Sequence, residues 1–162
     1  MLGRDYATQN CSIARTLEIV GERWTLLVLR ECLLGTRRFD DFQKQLGIAR
    51  NVLQARLEHL VDAGVLERRR YHERPPRFEY RLTEAGRDLL PVLIALIGWG
   101  DRHRAPSGPP VLVLHEGCGG TVNAALACEQ CGATGLRGSQ VAVVAGPGAV
   151  PGRRVTATTT PS

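Results

Sequence analysis

No apolar run in this 162-residue sequence is longer than the 11 residues from Leu89 to Trp99, and Pro91 and Gly98 interrupt that one. A membrane-spanning helix needs about 20 apolar residues, so no segment is expected to cross a bilayer. Residues Met1 to Asn10 contain no apolar h-region and do not read as a secretory signal, so a cytoplasmic protein is expected. Three familiar catalytic signatures are missing as well: G-x-x-x-x-G-K-[ST], G-x-S-x-G and H-E-x-x-H. His59, His72 and His103 stand apart from one another, His59 reading as a surface residue, and an enzyme is not expected. Lysine is nearly absent: of 21 basic residues only Lys44 is not arginine. Arginine suits bidentate contacts to phosphate and guanine, although a GC-rich genome produces the same skew. No internal repeat is evident.

The chain carries a net charge of +5, and 43% of it is hydrophobic, enough for one packed domain and a small appendage. Residues 1–104 hold 18 of the 21 basic and 14 of the 16 acidic side chains. Between Arg68 and Arg81 six arginines face only Glu73 and Glu79. The cluster Ala-Pro-Ser-Gly-Pro-Pro at 105–110 breaks any helix or central strand. We therefore divide the chain into a domain over 8–104, a linker over 105–110, a cysteine-containing module over 111–135 and a tail over 136–162. The tail's Gly, Val, Thr and Pro composition points to disorder.

Within the first domain, glycines and capping residues mark the elements. Ser12 can cap a helix to about Val20, with Ile13, Leu17 and Val20 on one face, ended by Gly21. A second helix spans Glu22 to Leu33, a third Phe39 to Leu46, and a fourth Arg50 to Ala63. Val65 to Tyr71 and Arg77 to Leu82 read as strands around His72-Glu-Arg-Pro-Pro76. Thr83 caps a last helix to about Asp101, with a kink expected at Pro91. Helices, a Gly47-Ile48-Ala49 turn, a helix and a basic hairpin give a mainly α fold with a small β-hairpin wing, a winged helix-turn-helix. On the fourth helix Leu53, Leu57, Leu60 and Val61 define the buried face. Arg50, Asn51, Gln54 and Glu58 are left outward with Arg56 beside them. Asn and Gln can pair with adenine and Arg with guanine. Arg38 and the wing residues Arg68, Arg70, Arg74 and Arg77 are expected to meet the phosphate backbone or minor groove of double-stranded DNA.

The segments Cys11-Ser-Ile-Ala-Arg-Thr-Leu17, Gly21-Glu-Arg-Trp-Thr-Leu-Leu-Val-Leu-Arg30, Gly35-Thr-Arg-Arg-Phe39, Val52-Leu-Gln-Ala-Arg-Leu57, Tyr80-Arg-Leu-Thr-Glu-Ala-Gly86 and Pro91-Val-Leu-Ile-Ala-Leu96, with Trp99-Gly100 beyond, resemble the HxlR family of bacterial transcriptional regulators, relatives of the MarR group. The resemblance covers residues 8–103. It implies a homodimeric winged-helix protein that binds operator DNA and dimerises through its first and last helices. Leu89, Leu90, Leu93, Ile94, Leu96, Ile97 and Trp99 offer more apolar surface than one small domain needs. Cys11 occupies the position of the family's thiol switch, so gating by oxidation, or by a small effector, is implied. A helix N-terminus favours thiolate, and Arg15 lies one turn on. Cys32 reads as core.

The second module holds His115-Glu-Gly-Cys118 and Cys128-Glu-Gln-Cys131, spaced H-x2-C-x9-C-x2-C. Two such pairs closed by small-residue turns suit tetrahedral Zn²⁺, one structural ion per chain, in a zinc-ribbon-like unit. A redox Cys128–Cys131 pair, or four unligated side chains in a floppy tail, are the other readings open to these residues. Two functions from different classes follow: a DNA-binding regulator, or a zinc/thiol redox protein whose winged helix is a protein-interaction module. The basic hairpin and the Arg50-Asn51-Gln54 face favour the regulator.

Overall fold

The computed structural model describes residues 10–144 and 146–148. Its first helix, α1 (Ser12–Val20), packs against α2 (Arg23–Leu33), which crosses α3 (Phe39–Leu46) and α4 (Arg50–Asp62). The hairpin β1 (Leu66–His72) and β2 (Arg77–Leu82) follows, then α5 (Glu84–Arg87) and α6 (Leu90–Arg104). Phe42, Leu29, Leu53, Leu57, Leu60 and Leu66 are fully enclosed at the centre. They come from α2, α3, α4 and β1 and bring the four elements together, so the outward face of α4 is set by a rigid scaffold. Among the described residues no helix is long and apolar enough to cross a membrane.

The expected elements recur, with α2 starting one residue later, α4 ending one residue earlier, α6 running on to Arg104, and three further changes. Cys11, not Ser12, takes the N-cap position of α1, in extended backbone, and Ser12 is already helical. The first strand begins and ends one residue later than the sequence pattern indicates. The last helix is not one kinked rod. It stops after Arg87 and restarts at Leu90, with Pro91 in the new first turn. A proline eight residues into a helix removes a donor and collides with the carbonyl four residues back, whereas in a first turn its missing N–H costs nothing. The break places Gly86 where a Cβ would lie 2.3 Å from the Val65 carbonyl oxygen. This close approach seats α5 under the hairpin, with the Thr83 hydroxyl reaching the carbonyls of Gly64 and Val65.

The hairpin is antiparallel, with Leu66 opposite Leu82 and Arg68 opposite Tyr80. The segment before α3 joins its far edge: Arg38 bridges Glu79, and the Tyr80 N–H donates to the Arg37 carbonyl at 2.8 Å. Beyond α6, Leu114 bridges Thr121 and Ala127 bridges Thr134. Of the segment expected to form a disordered tail, Gly138–Gln140 makes one 3₁₀ turn, and the Gly148 carbonyl accepts from Asn10 at 2.7 Å. Residue 145 and residues 149–162 lie outside the described part.

Candidate nucleic-acid interface and Cys/His module

Gly47, left-handed at φ 60°, ends α3 and turns the chain into α4, whose first five residues include Arg50, Asn51 and Gln54. All three side chains are exposed, while Leu53, Leu57 and Leu60 on the opposite side are buried. The Arg50 guanidinium lies 4.6 Å from the centre of the Phe39 ring and 3.5 Å from the Asp40 carboxylate. Next to Phe39, Arg38 places its guanidinium 4.7 Å from the Tyr71 ring of the hairpin. Arg68 sits 3.6 Å over Phe78, and Arg70 lies 5.6 Å from the same ring while pairing with Glu73 at 3.1 Å. Among the described residues neither Arg74 nor Arg77 forms an ion pair. A series of guanidinium–aromatic contacts thus runs from the start of α4, across the start of α3, to the hairpin. Such contacts hold a cation in place while leaving its N–H donors open.

Arg56 stands apart from this face. Its side chain is half-buried, its guanidinium points to Glu22 at 3.9 Å, and its Nε is enclosed without a partner. Gln54 donates to the Glu58 carboxylate at 2.9 Å, so its amide is already oriented on the outer surface. The platforms Phe39, Tyr71 and Phe78 were missed in the sequence, because a lone aromatic between charges gives no periodic signal. His59 departs from its expected surface role. It is half-buried, and its Nε2 reaches the carbonyls of Glu18 and Ile19 at 3.2 and 3.1 Å.

Cys11 is half-buried at the start of α1, and its carbonyl accepts from the Arg15 N–H. The Arg15 guanidinium donates to the Asn10 side chain at 2.6 Å. Cys32 is core, as expected, and burial pushes its thiol up to about 12.

In the module, His115 Nδ1 lies 3.2 Å from the Cys118 sulfur. The Cys128 thiol is held below the ordinary range, first by the backbone N–H of Cys131, then by that of Gln130 and by the Cys131 side chain. Imidazole and thiolate are the donors that Zn²⁺ selects, and each x2 pair is closed by its turn. Among the described residues, however, no three His, Cys, Asp or Glu side chains form one metal-binding set. The module therefore holds two two-donor pairs that are not joined. A cavity of about 680 Å³ separates it from α6, lined by Ile94, Ile97 and Trp99 on one side and Val113, Leu126 and Leu136 on the other.

The core of α2, α3 and α4 with the basic hairpin beside it defines a winged helix-turn-helix protein of the DNA-binding kind. The chain belongs to the HxlR-like helix-turn-helix family, which it matches over residues 19–107. It is 48% identical over 122 residues to an uncharacterised HTH-type transcriptional regulator of Mycobacterium tuberculosis, covering 75% of this chain and 77% of that one. An uncharacterised HTH-type transcriptional regulator of Bacillus subtilis, YdeP, is 36% identical, over 64% of this chain and 84% of its own. Among solved structures, the transcription-factor candidate PA1607 superposes with a TM-score of 0.76 at 34% identity, covering 86% of this chain and 97% of that chain. A match over 86% of the chain includes more residues than precede the linker, so it extends beyond the winged-helix domain. The redox regulator HypR in its reduced form is also similar, with a TM-score of 0.55 and 31% identity over 59% of this chain and 95% of its own.

Proposed function

We propose that this chain is a sequence-specific DNA-binding transcriptional regulator that works as a homodimer. The observation that carries the reading is the guanidinium–aromatic series from Arg50 through Phe39 and Arg38 to Tyr71. It makes reading helix and wing one cationic face. Asn51 and Gln54 carry the paired donor and acceptor that an adenine edge requires, and Arg50 the fork that guanine requires. Arg38, Arg68, Arg70, Arg74 and Arg77 supply phosphate contacts, which fix position without reading sequence. Arg56 acts through its approach to Glu22 instead. The HTH-type regulators of Mycobacterium and Bacillus support the same role here.

A second copy accounts for apolar surface that the monomer leaves open. Ile13 and Leu17 of α1 and Leu90, Val92, Leu96 and Trp99 of α6 are all exposed. Patches of this kind on helices mark interaction sites. A two-fold dimer would present two reading helices to a pseudo-palindrome with half-sites roughly 10 bp apart.

Gating rests with Cys11, the half-buried thiol at the start of α1, and the likeness to the redox regulator HypR supports this. A peroxide would convert the two Cys11 thiols of a dimer to one disulfide, itself being reduced with release of water. The deciding experiment titrates purified protein, by anisotropy and sedimentation, onto the DNA flanking its gene. We expect a dimer with salt-sensitive affinity, and a response to mild peroxide that Cys11→Ser abolishes. A monomer at micromolar concentration without salt-sensitive binding would remove the reading.

A further inference from the structure

The two turns of the C-terminal module are copies of one another, a repeat too short and too degenerate to stand out along the chain. Leu114-His115-Glu-Gly-Cys118-Gly-Gly-Thr121 and Ala127-Cys128-Glu-Gln-Cys131-Gly-Ala-Thr134 align without a gap, 13 positions apart, with Glu, Cys, Gly and Thr shared. The backbone repeats with them. The N–H of His115 donates to the Gly120 carbonyl at 2.8 Å, and that of Cys128 to the Ala133 carbonyl at 2.8 Å. The Gly119 N–H returns to the His115 carbonyl at 2.7 Å, and the Gly132 N–H to the Cys128 carbonyl at 2.9 Å. Gly119 and Gly132 are left-handed, at φ 70° and 71°, and the bridges Leu114–Thr121 and Ala127–Thr134 close both turns identically. Left-handed backbone after the second donor turns successive N–H groups toward the sulfur and is cheap only for glycine.

The module has two such turns and no core beneath them. Between Val111 and Leu136 no side chain is buried, and only Val113, Cys128 and Leu136 are half-buried. Apolar burial within the chain cannot hold a unit of this size, and four metal- or disulfide-forming side chains in two turns offer a crosslink that can. A Cys128–Cys131 disulfide would tie one turn to itself and leave His115 and Cys118 without a part.

We propose that the turns are two half-sites of one metal centre, and that a thiophilic divalent cation, Zn²⁺, closes them onto each other through His115, Cys118, Cys128 and Cys131. Three thiolates and an imidazole match its tetrahedral preference. The nine residues from Gly119 to Ala127, beginning Gly-Gly, are the joint about which the halves turn. With four protein donors the ion is structural, and the site is independent of DNA binding.

The full-length reduced protein, titrated with Co²⁺ as a spectroscopic probe and then with Zn²⁺, tests this. We expect one ion per chain, tetrahedral d–d bands with thiolate-to-cobalt charge transfer, and protection of residues 111–136 from protease on loading. Cys118→Ser and Cys131→Ser should each weaken binding by more than about tenfold, since even outer partners of a metal are worth that much. His115→Ala, which removes no thiolate, should keep the charge-transfer band and alter the d–d bands. The proposal is overturned by a reduced protein that takes up no cobalt, by one ion per two chains, or by a Cys118→Ser variant that binds like the parent.

Discussion

The Nε2 of His59, on α4, donates to the Ile19 carbonyl at 3.1 Å and shares its proton with the Glu18 carbonyl at 3.2 Å. The C-terminal end of a helix leaves its last carbonyls without partners, and here a side chain 40 residues away satisfies two of them. His59→Ala should therefore destabilise the domain by about 0.5–1.5 kcal/mol through the lost hydrogen bond. Urea denaturation measures this, and operator preference should stay as in the parent. A variant with full stability and altered base preference would return His59 to the DNA surface.

Base reading and phosphate attraction should separate by mutation. Asn51→Ala or Gln54→Ala should cost about 1–3 kcal/mol against the preferred site and little against unrelated DNA. Arg74→Ala or Arg77→Ala should weaken all sequences alike and flatten the slope of log affinity against log salt, by roughly 0.9 for each phosphate left unneutralised. Binding curves on matched and scrambled duplexes at several salt concentrations distinguish the two.

Gly86 admits no side chain. A Cβ there would meet the Val65 carbonyl oxygen at 2.3 Å and Leu82 Cδ2 at 2.9 Å. Gly86→Ala should displace α5 from the hairpin and cost about 1–3 kcal/mol, as overpacking does. A thermal melt matching the parent's would show that the hairpin yields freely.

Cys32 should make the fold alkali-sensitive. Desolvation raises its thiol from 9.0 to about 12, with Arg37 opposing and Glu31 adding to the rise. The unfolded chain ionises near the lower value and the folded chain near the upper one. The contribution is thus complete below about pH 9 and is lost as pH rises toward about 12. Cys32→Ala should lower stability at neutral pH by leaving a void and flatten this alkaline decline. In the native parent Cys32 should resist alkylation at about pH 8, below its raised range, while Cys11 reacts. Peptide mass mapping reads this directly.

The proposed interface between copies is tested on α6. Leu96 and Trp99 are about half exposed, so Leu96→Arg should cost the monomer little and push the sedimentation equilibrium toward monomer. Affinity for a palindromic duplex should fall with it, while a half-site duplex is bound as before. Unchanged sedimentation would exclude this face.

Most of the winged helix was legible in the residues themselves. Leu53, Leu57 and Leu60 repeat at helical spacing, glycines punctuate the helix ends, and 6 arginines crowd the hairpin. Periodicity, left-handed turns and charge density are local properties, and a chain displays them before it folds. The outward face of α4 followed from its buried one, which is why Arg50, Asn51 and Gln54 were placed correctly as exposed.

Other features were settled by the meeting of distant segments. His59 and Arg56 are polar residues on an amphipathic helix, and only the docking of α1 and α2 turned one to the Ile19 carbonyl and the other to Glu22. Pro91 could have kinked a helix or begun one, and the close seat of Gly86 under Val65 accompanies a fresh start at Leu90. Phe39 and Tyr71 became platforms for Arg50 and Arg38 because α3 and the hairpin meet. By itself the sequence determined the elements, their order and the chemistry available on each. Tertiary structure alone decided which polar groups were spent on holding the scaffold and which were left to meet a partner, because burial and distance between remote residues do not exist until the chain has folded.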